Sequence, residues 1–408
     1  MKNIIVFLLV GFSLSMQASV NDTVILGPGT RQQCFYTMDG TKKYASNASW
    51  DLKFRFKGFS ACIRTNDGNG VKVYLPVMND TSKWSTLDTT GMVLLNNKDN
   101  YWDNDAFYLT RVVGDTFDYG WGRYNPVSHN LTGKKLFVLE IPGVGFKKFW
   151  IKSLVGGTTY NFTLANLDHS GETNVSINKS FDANANFLYY QVNADSVFSI
   201  EPAGNAWDVL FSTYARDEDN YIVVGALGNL GTRFAEAYPV ANPETVSYTG
   251  YTFTDQMDII GYDWKTFLPP MGPWVISDST AYFVQAQTGN IWRVIMKYYG
   301  GGSNGMIVFG KELVGMSSIN DDLKQNILME VYPNPATEQL FVSTVSAKDQ
   351  TAILDIVDIT GTTVHSMKHD MITGVNSFNV SLQDLHAGMY FMRVESAEGI
   401  AVKKFFVR

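Results

Sequence analysis

Short apolar and aromatic runs follow one another along the chain, each closed by glycine, asparagine, aspartate or proline. Phe35-Tyr36, Trp50-Asp51-Leu52-Lys53-Phe54-Arg55-Phe56, Leu136-Phe137-Val138-Leu139-Glu140-Ile141 and Phe149-Trp150-Ile151 are examples. Runs of this length, rich in aromatic and β-branched residues and bounded by turn formers, predict strands. Helical periodicity is confined to the stretch from Ile319 to Leu328. The chain is therefore expected to be mostly β.

The strand pattern repeats. An aromatic pair, Phe35-Tyr36, is answered by Tyr189-Tyr190, and the strand around Trp50-Asp51 by one around Trp207-Asp208. Asp118-Tyr119-Gly120-Trp121 is answered by Gly261-Tyr262-Asp263-Trp264. A hairpin from Leu136 through Gly145 to Ile151 is answered by one from Tyr282 through Gly289 to Val294. Four marks in the same order indicate a duplication. The expected organisation is two tandem β-rich units, 19–180 and 181–315, then a polar linker at 316–330 and a small β-sandwich at 331–408. The aspartate after each repeated tryptophan is expected to be structural, capping a turn or pairing with a neighbour.

The N-terminus changes the picture. Lys2 precedes an apolar run from Ile4 to Leu14, and small and polar residues lead to Ala18. This is the layout of a signal peptide over residues 1–18, although Met16 rather than a small residue stands three before the proposed cut. No later segment is long and apolar enough to predict a membrane helix in the mature chain. A net charge of -7 without a basic cluster argues against nucleic acid as a partner. Cys34 and Cys62, the chain's two cysteines, lie in strand-like segments of an exported protein. A disulfide between them is the favoured expectation, two buried free thiols the alternative.

The C-terminal segment opens on Val331-Tyr332-Pro333-Asn334-Pro335-Ala336 and continues with a strand at Leu340-Phe341-Val342. Leu354-Asp355-Ile356-Val357-Asp358-Ile359-Thr360-Gly361 follows, then the Ala387-Gly388-Met389-Tyr390 strand, and the chain ends Lys403-Lys404-Phe405-Phe406-Val407-Arg408. The alternating strands and polar turns predict an immunoglobulin-like sandwich. In its Pro-Asn-Pro opening, central Asp-x-x-Gly, Gly-Met-Tyr strand and basic-aromatic end, the segment resembles the type A sorting domain of the Bacteroidetes type IX secretion system. The resemblance implies that Pro333, Asn334, Pro335, Gly361, Gly388, Tyr390, Lys403 and Lys404 form the sorting motif. It also implies recognition by the outer-membrane translocon, handling by its sorting peptidase, and anchoring to surface polysaccharide or release. The expected location is the outer-membrane surface or the exterior, reached through the periplasm.

Candidate chemistry between these signals is sparse. Gly301-Gly302-Ser303-Asn304-Gly305 has the G-x-S-x-G spacing of serine hydrolases. It joins two strand-like runs, however, and so lacks the strand-to-helix elbow that exposes the serine. Asp103-Asn104-Asp105 and Asp217-Glu218-Asp219-Asn220 offer carboxylates without EF-hand spacing and read as solvated turns. His129 and His169 stand in polar loops with no metal-ligand spacing.

The order of aromatic strand, Trp-Asp strand, long insert and aromatic hairpin in each half resembles the HmuY-type haemophores of Bacteroidetes. That likeness implies haem held by axial residues in the inserts. His129 and Met271, at comparable distances from Trp121 and Trp264, are the candidates, with Tyr108, Trp121 and Tyr124 and with Tyr251, Tyr262 and Trp264 as apolar walls. The leading expectation is thus a non-enzymatic, ligand-binding surface protein with haem as first cofactor. An adhesin or glycan binder using aromatic platforms is the alternative, and a glycan-active hydrolase with two distant carboxylates comes third.

Overall fold

A computed structural model describes residues 19–55, 60–182, 184–270, 272–316, 329–346, 348–397 and 399–408. The segment read as a signal peptide, Met271 and most of the 316–330 linker fall outside these residues. The described chain is mostly β, with thirty strands and six short 3-10 turns. None of its helices is long and apolar enough to cross a membrane.

The first copy of the repeat runs through β1 (Val20–Ile25), β2 (Gln32–Tyr36), β3 (Lys42–Ser46), β4 (Leu52–Arg55), β5 (Ile63–Thr65) and β6 (Lys72–Leu75). It continues with β7 (Val93–Leu95), β8 (Gly122–Asn125), β9 (Asn130–Gly133), β10 (Phe137–Ile141), β11 (Gly145–Val155) and β12 (Thr159–Asn166). The second opens on β13 (Thr173–Asn178), β14 (Phe187–Gln191), β15 (Ser196–Phe198), β16 (Val209–Ala215), β17 (Ile222–Gly228) and β18 (Arg233–Ala237). It closes with β19 (Lys265–Phe267), β20 (Trp274–Ile276), β21 (Ala281–Gln285), β22 (Ile291–Tyr299) and β23 (Met306–Gly315).

Four sheets stack in layers. The first outer sheet has the order β13-β12-β11-β10-β6-β7, with the β8-β9 hairpin attached through β11, and the first inner sheet is β15-β14-β4-β5. The second inner sheet, β17-β16-β2-β3, and the second outer sheet, β1-β23-β22-β21-β18, repeat that arrangement. Leu52, Phe54, Leu188 and Tyr190 of the first inner sheet pack on Phe137, Phe149 and Phe162 of the first outer sheet. Cys34, Tyr36, Val209 and Phe211 of the second inner sheet pack on Tyr282, Val294 and Phe309 of the second outer sheet. The two inner sheets meet through Phe35, Trp50, Phe187, Tyr189, Trp207 and Leu210. Both faces of each inner sheet are covered, which is why Cys34-Phe35-Tyr36 and Phe187-Leu188-Tyr189-Tyr190 are apolar without alternation.

The duplication is present, but its halves are not separate units. The first three strands of each copy complete the core of the other. β2 pairs with β16 and β1 with β23. Their counterparts β14 and β13 pair with β4 and β12. The first core is therefore β4–β15 and the second is β1–β3 joined to β16–β23. The expectation of tandem units at 19–180 and 181–315 is corrected accordingly. A repeat shows which segments correspond, not which copy supplies a strand's partner.

Matched contacts across the central layer show the internal symmetry. Trp50 meets Tyr189, and Trp207 meets Phe35, each edge-on with ring centroids 5.2 Å apart. The Val192 N–H donates to Asp51 Oδ2 and the Met38 N–H to Asp208 Oδ2, both at 2.8 Å. Asn66 Nδ2 donates to the carbonyls of Asn47 and Trp50, as Asn229 Nδ2 does to those of Gly204 and Trp207. The aspartate after each repeated tryptophan thus holds a backbone N–H just beyond the end of an exchanged strand, β14 or β2. A buried amide left unpaired there would cost about 1–3 kcal/mol.

The expected disulfide is absent: Cys34 and Cys62 are buried free thiols. Cys34 faces the second core, whereas Cys62 lies in the central layer with its Sγ donating to the Trp102 carbonyl at 3.0 Å. Burial pushes the Cys34 thiol up to about 12 and raises that of Cys62 as well, so both stay protonated and inert.

The C-terminal domain comprises β24 (Met329–Tyr332), β25 (Gln339–Ser346), β26 (Gln350–Asp358), β27 (Thr363–Met371), β28 (Gly374–Ser381), β29 (Gly388–Ser396) and β30 (Gly399–Val407). Sheets β24-β25-β28 and β27-β26-β29-β30 enclose Leu340, Val342, Leu354, Ile356, Val380, Val394 and Phe405. It is the small sandwich that the sequence predicts.

Candidate functional site

The residues expected to form the sorting motif are spread along the sequence, and the fold gathers several of them at the C-terminal strand. Asn334 sits between two prolines, which leave it no helical or ladder role. Its side chain binds the β30 backbone instead, accepting from the Phe406 N–H at 3.0 Å and donating to the Lys404 carbonyl at 3.3 Å. Ala336 then pairs with the last strand, donating to the Phe406 carbonyl and accepting from the Arg408 N–H. Lys403 reaches Glu330 on β24 at 3.0 Å, so both ends of the domain are tied together. Gly361 has φ 87°, a left-handed value that favours glycine, in a turn closed by Asp358 Oδ1 accepting from the Thr360 and Thr362 N–H groups. Gly388 starts β29, and two residues on Tyr390 donates its hydroxyl to the His386 carbonyl. The Pro-Asn-Pro opening and the basic-aromatic end thus form one continuous surface.

His129 occupies the turn of the β8-β9 hairpin, at φ 55°. Its Nδ1 is 2.8 Å from the Tyr124 hydroxyl, and Tyr124 stacks on Phe117. Nε2 has no hydrogen bond to a described residue. The strands flanking the Met271 position, β19 and β20, belong to the second core, where Trp274 packs. The β8-β9 hairpin belongs to the first, so both inner sheets lie between the two hairpins. Trp121 and Trp264, expected as walls of a porphyrin site, are core residues. Their indole N–H groups donate to the Ala61 and Gly261 carbonyls. Tyr108 and Tyr124 stay half-buried. His169 also occupies a left-handed turn and is engaged by the Lys148 ammonium.

Carboxylates in the two acidic turns are used inside the fold. Asp103 pairs with Arg55, Asp217 with Lys98, and Asp219 takes a two-point contact from Arg216. Among the described residues no cluster of His, Cys, Asp and Glu could hold a metal ion. The Gly301–Gly305 segment joins β22 to β23, so Ser303 is in a strand-to-strand connection.

Asp105 is almost fully buried and accepts three backbone N–H groups, from Phe107 and Tyr108 at 2.9 Å and Ile63 at 3.2 Å. Desolvation outweighs these donors and the nearby Arg64, and raises its carboxyl to about 7. The folded chain therefore keeps a proton that the unfolded chain loses near the usual carboxylate range. This contribution to stability is fully present below about pH 4 and is lost as pH rises to about 7. Asp105→Asn is expected to flatten the change in unfolding free energy between pH 4.5 and 7, measured by denaturant titration. Asp105→Ala should cost about 3 kcal/mol, because it leaves three buried N–H groups unpaired. An unchanged pH slope in the asparagine variant would contradict this assignment.

Comparison with known proteins bears on the C-terminal domain. A family described as a secretion system C-terminal sorting domain matches residues 330–408. Among curated proteins, none matches the chain. Of solved structures, latent dimeric PorU from Porphyromonas gingivalis is 10% identical, with 95% of this chain and 34% of that one covered at a TM-score of 0.18. Elastase-activated alpha-2-macroglobulin from Escherichia coli is also 10% identical, with 97% and 35% covered at a TM-score of 0.14. The chain spans about a third of the length of these structures, and at such TM-scores neither likeness carries an argument. Residues 330–408 are a type IX secretion sorting domain, and the chain is exported to the cell surface or beyond.

Proposed function

We propose that the passenger ahead of the sorting domain is a non-enzymatic ligand-binding scaffold, delivered first to the periplasm by the N-terminal apolar segment and then outward. The supporting observation is the use the fold makes of its polar side chains. Asp51, Asp208, Asn66, Asn229 and Asp105 all hold backbone groups, while a histidine and several aromatic rings are left on the inserts. On this reading the translocon and its peptidase are the partners in export, and the ligand is met outside the cell.

Haem is the first ligand to test, through His129. Tyr124 fixes the ring by bonding Nδ1, the kind of orienting contact that axial histidines use, and Nε2 is left for iron. Met271, expected as the second ligand, is flanked by strands of the other core, so His129 would ligate haem from one side. Adding haem to the purified chain is expected to produce a shifted Soret band that His129→Ala abolishes and His169→Ala leaves in place. No spectral change with excess haem, or an unaltered band in the His129 variant, would remove haem while leaving the export assignment standing.

A further inference from the structure

The duplication provides an internal comparison between the outward faces of the two outer sheets. In the first, Lys72, Glu140 and Phe146 stand directly opposite one another on β6, β10 and β11. In the second, the row on β18, β21 and β22 is Arg233, Gln285 and Ile291. The rows correspond because each lies three residues along from a matched pair, Phe137 with Phe149 and Tyr282 with Val294. The second row is used inside the fold. Ile291 shares an apolar cluster with Tyr248 and Tyr251, and the Arg233 guanidinium donates to the Phe253 carbonyl at 2.6 Å.

The first row is open. Phe146 is 41% exposed, and the Lys72 and Glu140 side chains are 49% and 34% exposed. With the β10-β11 turn from Pro142 to Gly145, the row bounds a surface cleft of about 660 Å³. Gly143 and Gly145 have φ 76° and 95°, and beyond their chain neighbours no atom lies within 4 Å of where a Cβ would stand. A ligand can therefore approach their backbone closely. The polar groups are already held in place. Glu140 Oε2 accepts from the Tyr74 hydroxyl at 2.6 Å and from the Lys72 ammonium at 3.2 Å, whereas Oε1 has no hydrogen bond to a described residue. The Tyr74 bond, with Lys72, holds the Glu140 carboxyl below its usual range, so it stays an acceptor at neutral and mildly acidic pH. The Phe146 ring lies beside these groups, its centroid 6.3 Å from that of Tyr74.

We propose that this cleft binds a neutral sugar unit of a glycan, with Phe146 stacked on the ring and Glu140 and Lys72 bonding its hydroxyls. An exposed aromatic face suits the C–H surface of a sugar. A carboxylate and an ammonium side by side offer an acceptor and a donor to neighbouring hydroxyls. Because their charges cancel, neither an anionic nor a cationic ligand gains a net attraction from the pair. The volume is that of a small-molecule site, whereas a protein interface buries about 800 Å² on each partner. The site is separate from His129, because the β8-β9 hairpin joins β11 at Ser153 and Leu154, at the other end of that strand from Phe146. It stands whether or not haem binds. Sequence reasoning missed the site. Its signal was Glu140, the single charge in the apolar run from Leu136 to Ile141.

The test is affinity electrophoresis of the full chain in gels containing dextran, mannan or galactan, with alginate as the charged control. At least one of the neutral polysaccharides is expected to retard the chain, and alginate is not. Phe146→Ala and Glu140→Gln should each weaken that retardation about tenfold. Phe181→Ala, at an exposed ring outside the cleft, and His129→Ala should leave it unchanged. Phe146 is exposed, so its variant tests the site even if Glu140→Gln disturbs Tyr74. No retardation by any neutral polysaccharide, equal retardation by alginate, or retardation indifferent to both cleft variants would overturn the proposal.

Discussion

Cutting the chain between residues 180 and 181, the boundary expected from the sequence, is expected to leave neither half folded. Fragment 19–180 loses β14 and β15, half of the first inner sheet, and with them Leu188 and Tyr190 from the first core. It keeps β1, β2 and β3, whose partners β23 and β16 are on the other fragment. Burial of each large apolar side chain is worth about 1.5–3 kcal/mol. Losing Leu188, Tyr190 and the central-layer pair Phe187 and Tyr189 therefore removes an amount comparable to a whole domain's net stability, roughly 5–15 kcal/mol. Fragment 47–205 is different, because β4–β15 are contiguous and keep both sheets of the first core. It should unfold cooperatively by circular dichroism, and it should self-associate through the uncovered face of Trp50, Phe187 and Tyr189. Cooperative unfolding of 19–180 alone, with an unstructured 47–205, would contradict the strand-exchanged arrangement.

That arrangement marks the limit of what the chain shows before its fold is known. Strands are local: the aromatic pairs, the Trp-Asp strands and the two hairpins emerge where alternation and turn residues place them. The correspondence between copies is also visible, because equivalent positions keep equivalent chemistry. Pairing between copies is not visible, since Phe35-Tyr36 would satisfy a strand from either half. Cys34 and Cys62 show the same limit. Each lies in or beside a strand as expected, but they reside in different apolar clusters, and spacing carries no information about that. Trp121 and Trp264 look like ligand walls in a polar insert and prove to be core anchors, because the insert folds back on its own sandwich. The sorting domain was the most legible part. The residues expected to form its motif fall in the sandwich's own turns and strand ends, where Asn334 and Gly361 have specific backbone tasks.

Removing residues 329–408 is expected to abolish delivery to the surface and leave the passenger folded in the periplasm. The domain's core is composed of its own residues, from Met329 to Val407. The two passenger cores draw only on residues from Val24 to Phe309. Deletion therefore removes no strand from the passenger, and its unfolding midpoint should change little. The effect on location should be near-complete, since the sorting domain is the signal that the translocon reads.

Localisation of a fusion tests export by this domain most directly. Residues 329–408 joined to the C-terminus of a folded periplasmic reporter, in a host with the type IX system, should make the reporter accessible to externally added protease. The same fusion with Asn334→Ala and Lys404→Glu should be exported less. Protection of the reporter inside the periplasm, with the fusion intact and folded, would contradict the assignment.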